Sequence, residues 1–429
     1  PRERYFRWEL NSSNVPVMHV MFLVLTAAVS SPPACGIQGG FSTNPQTVAT
    51  DARNCAGAHF VGVNLKGADL RGGDFTKVKF EGVDLRGADF RGAKLDRAQF
   101  NGAKIDGAKF DSASAEEVRF YKLDVRTCSF VETNLKGASF TEADARGVSF
   151  NKAILTGGSF ARARLDGADL SEVSAEKADF GSASLKTANF RGANLTKANL
   201  RASLAGANMT GAILDGISLT GKAFAKVALG KVSMKNLDCR DCVLSGIDLR
   251  GADLSGAKFV RSDLRKAKLT DANLTEVWFV KSNFAGADLT RANLTKAYFG
   301  WESIQCSKDG KCKGRTSFVG AKLSGVTAVG AEFRGADLAK ADFSNANLTG
   351  AKLSRVRNRY RTTMPGANLR GANLTKARLV HTEMPKAQLQ GANLTDAMLD
   401  SADLTDANLT GATLERTSLH KTKLQKAII

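Results

Sequence analysis

The feature that most constrains this chain is a lattice of period five. From Phe60 to Leu200 every fifth residue is apolar, and those 29 positions hold 13 Phe, 11 Leu, three Ala, Ile105 and Val125. Of the 24 Phe in the chain, only Phe6, Phe22 and Phe41 lie off the lattice. Neither a helix, with its period of about 3.6, nor a lone strand with alternating side chains produces such spacing. Two residues before each large apolar residue, here called the centre, stands a small one, as in Ala58, Val63, Ala68, Gly73, Val78, Cys128 and Ala198. Alternate residues of an extended segment share a side, so both face one interior. The other three positions carry Asp, Asn, Lys, Arg, Thr, Ser and Gly, and face water.

The phase slips once between Leu200 and Leu204 and then holds to Ile304; after a break it runs from Phe318 to Leu353, and after another from Met364 to Ile429. This gives 72 units. Phe60, Phe80, Phe100, Phe120, Phe140, Phe160 and Phe180 recur every 20 residues, and Phe90, Phe110, Phe130, Phe150 and Phe190 recur on the 10-residue offset. The units between them, such as Leu65, Leu85, Ile105 and Val125, are mostly aliphatic. A coil of four sides follows, with Phe columns on two opposite walls. One coil cannot bury its own apolar side chains, but stacked coils share a continuous core. Four units per coil predict about 18 coils and, at a strand spacing of about 4.8 Å, a rod on the order of 86 Å long.

The units Ala68-Asp69-Leu70-Arg71-Gly72 and Ala193-Asn194-Leu195-Thr196-Lys197 closely resemble the motif of the pentapeptide-repeat family, and the resemblance covers roughly residues 58–429. It implies an all-β fold: a right-handed quadrilateral parallel β-helix with four pentapeptides in each coil. Some members of that family imitate the DNA duplex and bind a topoisomerase, but the imitation depends on an acidic rod. Here 61 Lys and Arg face 42 Asp and Glu, a net charge of +19, which argues against it.

The breaks and ends have their own character. Ile304 to Phe318 reads as nine extra residues around Cys306 and Cys312, predicting a surface loop (305–317) closed by a Cys306–Cys312 disulfide. Leu353 to Met364 holds six extra, with Arg355, Arg357, Arg359 and Arg361 alternating in a basic insertion near 354–361. Lys222 falls on an inward position, where an unpaired ammonium is costly, so an irregular wall is expected there. Residues 30–57 read as a linker with a possible cap, and Cys35 with Cys55 as a second disulfide tying it to the first coil. Ile429 is itself a centre, so the expectation is that the chain continues or a partner covers that end.

Residues 1–29 differ from everything after them. Arg2, Arg4 and Arg7 accompany Trp8, and an apolar stretch follows that contains Val15, Val20, Phe22, Leu23 and Leu25. Fifteen residues of helix span about 22 Å, short of the ~30 Å hydrocarbon core. An apolar helix that anchors in a membrane or docks on a partner is the leading reading, with Arg and Trp at the water boundary. A retained signal peptide and a segment packed on the rod's own end are the alternatives.

Catalysis finds no support: His19, His59, His381 and His420 are scattered, and neither a phosphate-cradling Gly motif nor a nucleophile elbow is present. No cofactor is expected. Cys239 and Cys242 have CxxC spacing without a second pair, and both fall on core positions, so a buried thiol pair or disulfide outweighs a metal site. Two outward cysteine pairs favour an oxidising compartment. Val260, Trp278, Val280 and Tyr298 repeat outward at the 20-residue offset with Trp301 nearby, and their shared register predicts a protein-binding patch. The basic character reads as diffuse, sharpening at Arg355 to Arg361.

The expected function is therefore a non-catalytic scaffold, a basic rod tethered to a membrane and docked on a larger membrane protein complex, through an acidic protein surface or anionic lipid. Positive residues before the apolar stretch place the rod on the non-cytoplasmic side. Family analogy favours the thylakoid lumen and a photosynthetic complex, with a bacterial periplasm or another organelle as alternatives. A soluble rod that binds nucleic acid or a nucleic-acid enzyme, and a subunit of a respiratory or cytoskeletal assembly, are the competing functions.

Overall fold

The computed structural model describes residues 54–221, 224, 226–300, 315–356 and 360–429, with backbone alone at Gln305–Cys306 and Cys312–Lys313. The apolar helix expected within residues 1–29 and the irregularity expected at Lys222 lie outside them. All regular structure among the described residues is strand, bridge or turn.

The unit Asp89-Phe90-Arg91-Gly92-Ala93 explains why five residues make one side. The N–H of Asp89 donates back one coil to the Ala68 carbonyl at 2.9 Å, while those of Phe90 and Gly92 donate forward to Lys109 (2.8 Å) and Asp111 (3.2 Å). The Ala93 N–H crosses the turn to the Phe90 carbonyl at 2.9 Å. Only the Arg91 N–H finds no carbonyl, and the Asp89 carboxylate accepts it at 3.1 Å. An unsatisfied backbone donor costs about 1–3 kcal/mol, so the Asp or Asn before each centre completes the backbone's hydrogen bonding. Gly92 sits at φ 67°, the left-handed conformation required at the third residue of such a turn. Lys77 (φ 59°) and Glu117 (φ 54°) adopt it too, at about 1–2 kcal/mol each.

Repetition of this unit raises four walls. Parallel ladders begin at Asn54–Asp74 on the first wall, Asn64–Asp84 on the third and Asp69–Asp89 on the fourth. The second wall begins with β1 (His59–Val61) paired to β2 (Lys79–Glu81), Phe60 opposite Phe80. Further along it, β3 (Ser218–Thr220), β4 (Asp238–Arg240), β5 (Lys258–Val260) and β6 (Trp278–Val280) form a four-stranded parallel sheet.

The Phe columns stand on the second and fourth walls and meet in the middle. Phe100 stacks on Phe80 (4.9 Å between centroids) and Phe120 (5.0 Å) within its own column. It meets Phe90 and Phe110 of the opposite column edge-on, at interplanar angles of 89° and 90°. Phe100 thus has both its faces and its edge occupied, the two arrangements the aromatic quadrupole favours.

The first-wall ladder runs unbroken through every interruption, from Asn54 to Thr413. Ser184 pairs with Ser203, a coil of 19 residues, at the phase slip. Asp337 pairs with Thr363, a separation of 26 that matches the six extra residues expected. Tyr298, however, pairs with Glu332, a separation of 34. The first detour therefore holds fourteen residues beyond a coil and not nine: Phe299 is the last centre before it and Phe318 the first after it, with Phe284 stacked on Phe318 at 4.7 Å.

Candidate interaction surface

The second wall gathers what the sequence singles out. Lys258 is opposite Trp278 and Val260 opposite Val280 in the β5–β6 pair, and Trp278 is bridged in turn to Tyr298. The two rings lie 4.9 Å apart, tilted by 46°. Trp278 is 47% exposed, while Val260, Val280 and Tyr298 are half-buried. Gly300 belongs to the arrangement: a Cβ there would stand 2.7 Å from Cε1 of Tyr298 and 2.9 Å from Cγ2 of Val280, so only glycine lets the tyrosine ring lie along the wall. Trp301 lies outside the described residues.

Both detours leave the same corner, between the second and third walls. In the first, β7 (Gln305–Cys306) pairs antiparallel with β8 (Cys312–Lys313), which puts Cys306 opposite Cys312 in the backbone register. The second is closed by an antiparallel bridge between Val356 and Tyr360. Arg315 staples them together. Its guanidinium donates to the carbonyls of Gly335 (2.9 Å), Ala336 (2.7 Å) and Arg361 (2.9 Å) and to Oγ1 of Thr363 (2.9 Å). At the same corner, inward Ser262, Ser282, Thr316, Thr362 and Thr382 each donate a hydroxyl to the carbonyl of a second-wall centre one coil back, as Thr382 does to Leu353 at 3.0 Å. Neither the staple nor this hydroxyl ladder is anticipated from the sequence, although Ser or Thr at successive inward positions is its visible mark.

Of the basic insertion, Arg361 pairs with Glu383 at 2.9 Å, and Arg357 and Arg359 lie outside the described residues. Burial, and then the nearby charges of Arg355 and Arg361, push the His381 imidazole below its ordinary value.

Once the register is known, the excess of basic residues is greatest on the second wall. Outward positions of the second wall hold fourteen Lys and Arg against seven Asp and Glu, whereas the opposite, fourth wall holds eleven against ten. The third wall holds fourteen against ten, and there and on the fourth wall part of the charge is paired in a local fork, in which the guanidinium two residues after an Asp folds back onto it. Arg71 on Asp69, Arg91 on Asp89, Arg126 on Asp124 and Arg250 on Asp248 all close to 2.6 Å. The Arg71 fork holds Asp69 at about 2. On the second wall Lys258, Lys281 and Arg378 form no ion pair among the described residues. A shallow groove of about 540 Å³ on its edge is lined by Lys77, Lys79, Arg97, Gln99, Glu117, Arg119, Gly137 and Ser139.

Cys239 and Cys242 are joined in a buried disulfide. Cys128 is a buried free thiol pushed up to about 12 by burial. Cys55 is buried and disulfide-bonded, and its expected partner Cys35 lies outside the described residues, as do Trp8, Val15, Val20, Phe22, Leu23 and Leu25. Among the described residues no group of three or more His, Cys, Asp or Glu is placed to hold a metal ion, and no helix is long and apolar enough to cross a membrane.

The family model described as Pentapeptide repeats (8 copies) matches nine segments between residues 54 and 425, and one described as Pentapeptide repeat region matches residues 93–170. The chain belongs to the pentapeptide-repeat family. Among solved structures, this pentapeptide-repeat protein is similar to HetL, a pentapeptide repeat protein involved in heterocyst differentiation regulation from the cyanobacterium Nostoc sp. strain PCC 7120. Identity is 22% over 74% of this chain and 91% of that one, with a TM-score of 0.27. QnrB1, a plasmid-mediated fluoroquinolone resistance protein, matches at 19% identity over 50% of this chain and 90% of its own, with a TM-score of 0.26. A pentapeptide repeat protein of the Arabidopsis thaliana thylakoid lumen matches at 28% identity over 26% of this chain and 71% of its own, with a TM-score of 0.14. No curated protein matches the sequence.

Proposed function

We propose that this pentapeptide-repeat protein is a non-catalytic scaffold, a right-handed rod of about 18 coils tethered to a membrane by its amino-terminal segment and docked on a larger membrane assembly. The observation that carries the reading is the second wall, where Trp278, Tyr298, Val260 and Val280 form an apolar centre rimmed by Lys258, Arg261 and Lys281. An apolar centre with a charged rim is the anatomy of a binding surface. The continuous ladder from Asn54 to Thr413 supports the coil count and supplies a stiff support for that surface. Arg2, Arg4, Arg7 and Trp8 ahead of the apolar stretch support the tether and a rod on the non-cytoplasmic side. Family analogy makes a photosynthetic complex of the thylakoid lumen the first candidate for the assembly.

Fractionation of native membranes tests the tether. The full chain is expected to stay with the membrane in salt and leave it only in detergent. Release by mild salt alone defeats the tether, and absence of any copurifying membrane complex after detergent defeats the docking.

A further inference from the structure

We infer that the second wall is a bilayer-facing surface, built to lie against the anionic headgroups of a lipid membrane. The inference rests on the membrane reading proposed above and names what the wall meets.

Two independent distributions converge on it. The first is charge. This wall has twice as many basic as acidic outward side chains, while the Asp-x-Arg forks leave its opposite number close to neutral. The end of the second detour adds Arg361 at its corner. The second is aromatic placement. Every Tyr and Trp among the described residues belongs to this wall or to a detour leaving its corner: Tyr121, Trp278, Tyr298 and Tyr360. Amphipathic rings and long basic stems together are the chemistry of the headgroup layer, where each side chain keeps its apolar part toward the acyl boundary and its polar tip in water. At Tyr121 the pairing is explicit, with Lys122 Nζ lying 4.9 Å from the ring centroid.

The docking reading uses only the coils around Trp278 and Tyr298, and the extent of the basic pattern beyond them selects lipid as what the rest of the wall meets. Between Arg119 and Arg378 the wall runs through twelve coil steps, about 58 Å at the strand spacing. Parallel pairing holds the run in register from Arg119 to Asn199 and again from Ser218 to Arg378. A long basic face with dispersed aromatics complements an extended anionic surface. An acidic patch on a globular partner would use only a few coils of it.

Vesicle flotation with the full chain tests the proposal, using vesicles of phosphatidylcholine alone and of phosphatidylcholine mixed equally with phosphatidylglycerol. A triple variant Lys258→Glu, Lys281→Glu, Arg378→Glu reverses charge on the second wall. A control triple Lys66→Glu, Lys136→Glu, Lys231→Glu makes the same change in net charge on the third, first and fourth walls. Unchanged circular dichroism melting establishes that both remain folded. The expected result is preferential binding to the mixed vesicles, weakened about tenfold or more by the second-wall triple and little by the control. Equal loss in both triples, or no preference for anionic vesicles, overturns the proposal. So does tighter binding of a single-stranded oligothymidylate than of mixed vesicles by the wild-type chain, lost in the second-wall triple. Anionic vesicle binding through this wall with no copurifying assembly would leave this inference standing and remove the docking reading, and the converse result would do the opposite.

Discussion

The guanidinium of Arg315 donates to the backbone carbonyl of Arg361 at 2.9 Å, across 46 residues of sequence. The ends of two separate detours, two coils apart, are thereby tied together at one corner although the sequence interrupts it twice.

Replacing Arg315 with Met keeps an apolar stem and removes every donor, leaving the carbonyls of Gly335, Ala336 and Arg361 short of a partner. A loss of about 1–3 kcal/mol of local stability is expected. It should appear as faster amide exchange around Gly335 and Thr363, with exchange near Phe100 unchanged, because contacts in a solenoid reach only neighbouring coils. Uniform change along the whole rod would contradict this.

Phe120 packs against Phe100, Phe110, Phe130 and Phe140 at centroid distances of 5.0, 5.3, 5.4 and 4.8 Å. Phe120→Ala empties a site that neither column can close, and a cost of about 3–5 kcal/mol is expected. Denaturant unfolding should move to lower concentration. A shift no larger than that of a surface substitution would mean that the columns relax into the space.

Acid should weaken the rod through its forks. The Arg71 guanidinium holds Asp69 at about 2, and Asp84, Asp89, Asp124, Asp144, Asp248 and Asp263 are lowered for the same first cause, the hydrogen bond from their own Arg. A carboxylate depressed by folding binds fewer protons folded than unfolded. Its contribution is complete above the ordinary aspartate range and disappears as pH falls toward 2. Solvent screening keeps each pair weak, but the same window applies to all seven. Melting temperature is expected to be flat from neutral pH to about 5 and to fall steadily below about 4; a maximum below pH 4 would refute the assignment.

Trp278→Ala combined with Tyr298→Ala removes the paired rings while leaving the inward neighbours Phe279 and Phe299, both buried, untouched. Folding should be preserved within about 1 kcal/mol. Retention of the native membrane partner or surface should drop by about tenfold or more, on the scale of losing two aromatic anchors. Retention equal to wild type would remove these residues from the surface.

The walls were legible in the sequence because Phe60, Leu65 and their successors must be buried every fifth residue whatever stands between them. The location of the charge was not, since it depends on which wall each outward residue faces. That assignment changes wherever a coil has 19, 26 or 34 residues. The register across the first detour was misjudged by one unit because the apolar residue at 304 continues the period of five in sequence, whereas the ladder passes from Tyr298 directly to Glu332. Arg315 reads as one more surface cation until the carbonyls of two later coils are brought around it. Ser262 and Thr316 read as outward residues misplaced inward, until the carbonyls they satisfy are seen.

Because a full coil returns the backbone to the wall it left, adding or deleting twenty residues changes the length of this molecule and nothing else about it. Each side chain beyond the change still looks in its former direction. Reach is therefore a variable that gene duplication can adjust in even increments, separately from the chemistry carried by any one face. A chain built on this rule can be re-measured for a longer or shorter span without being redesigned.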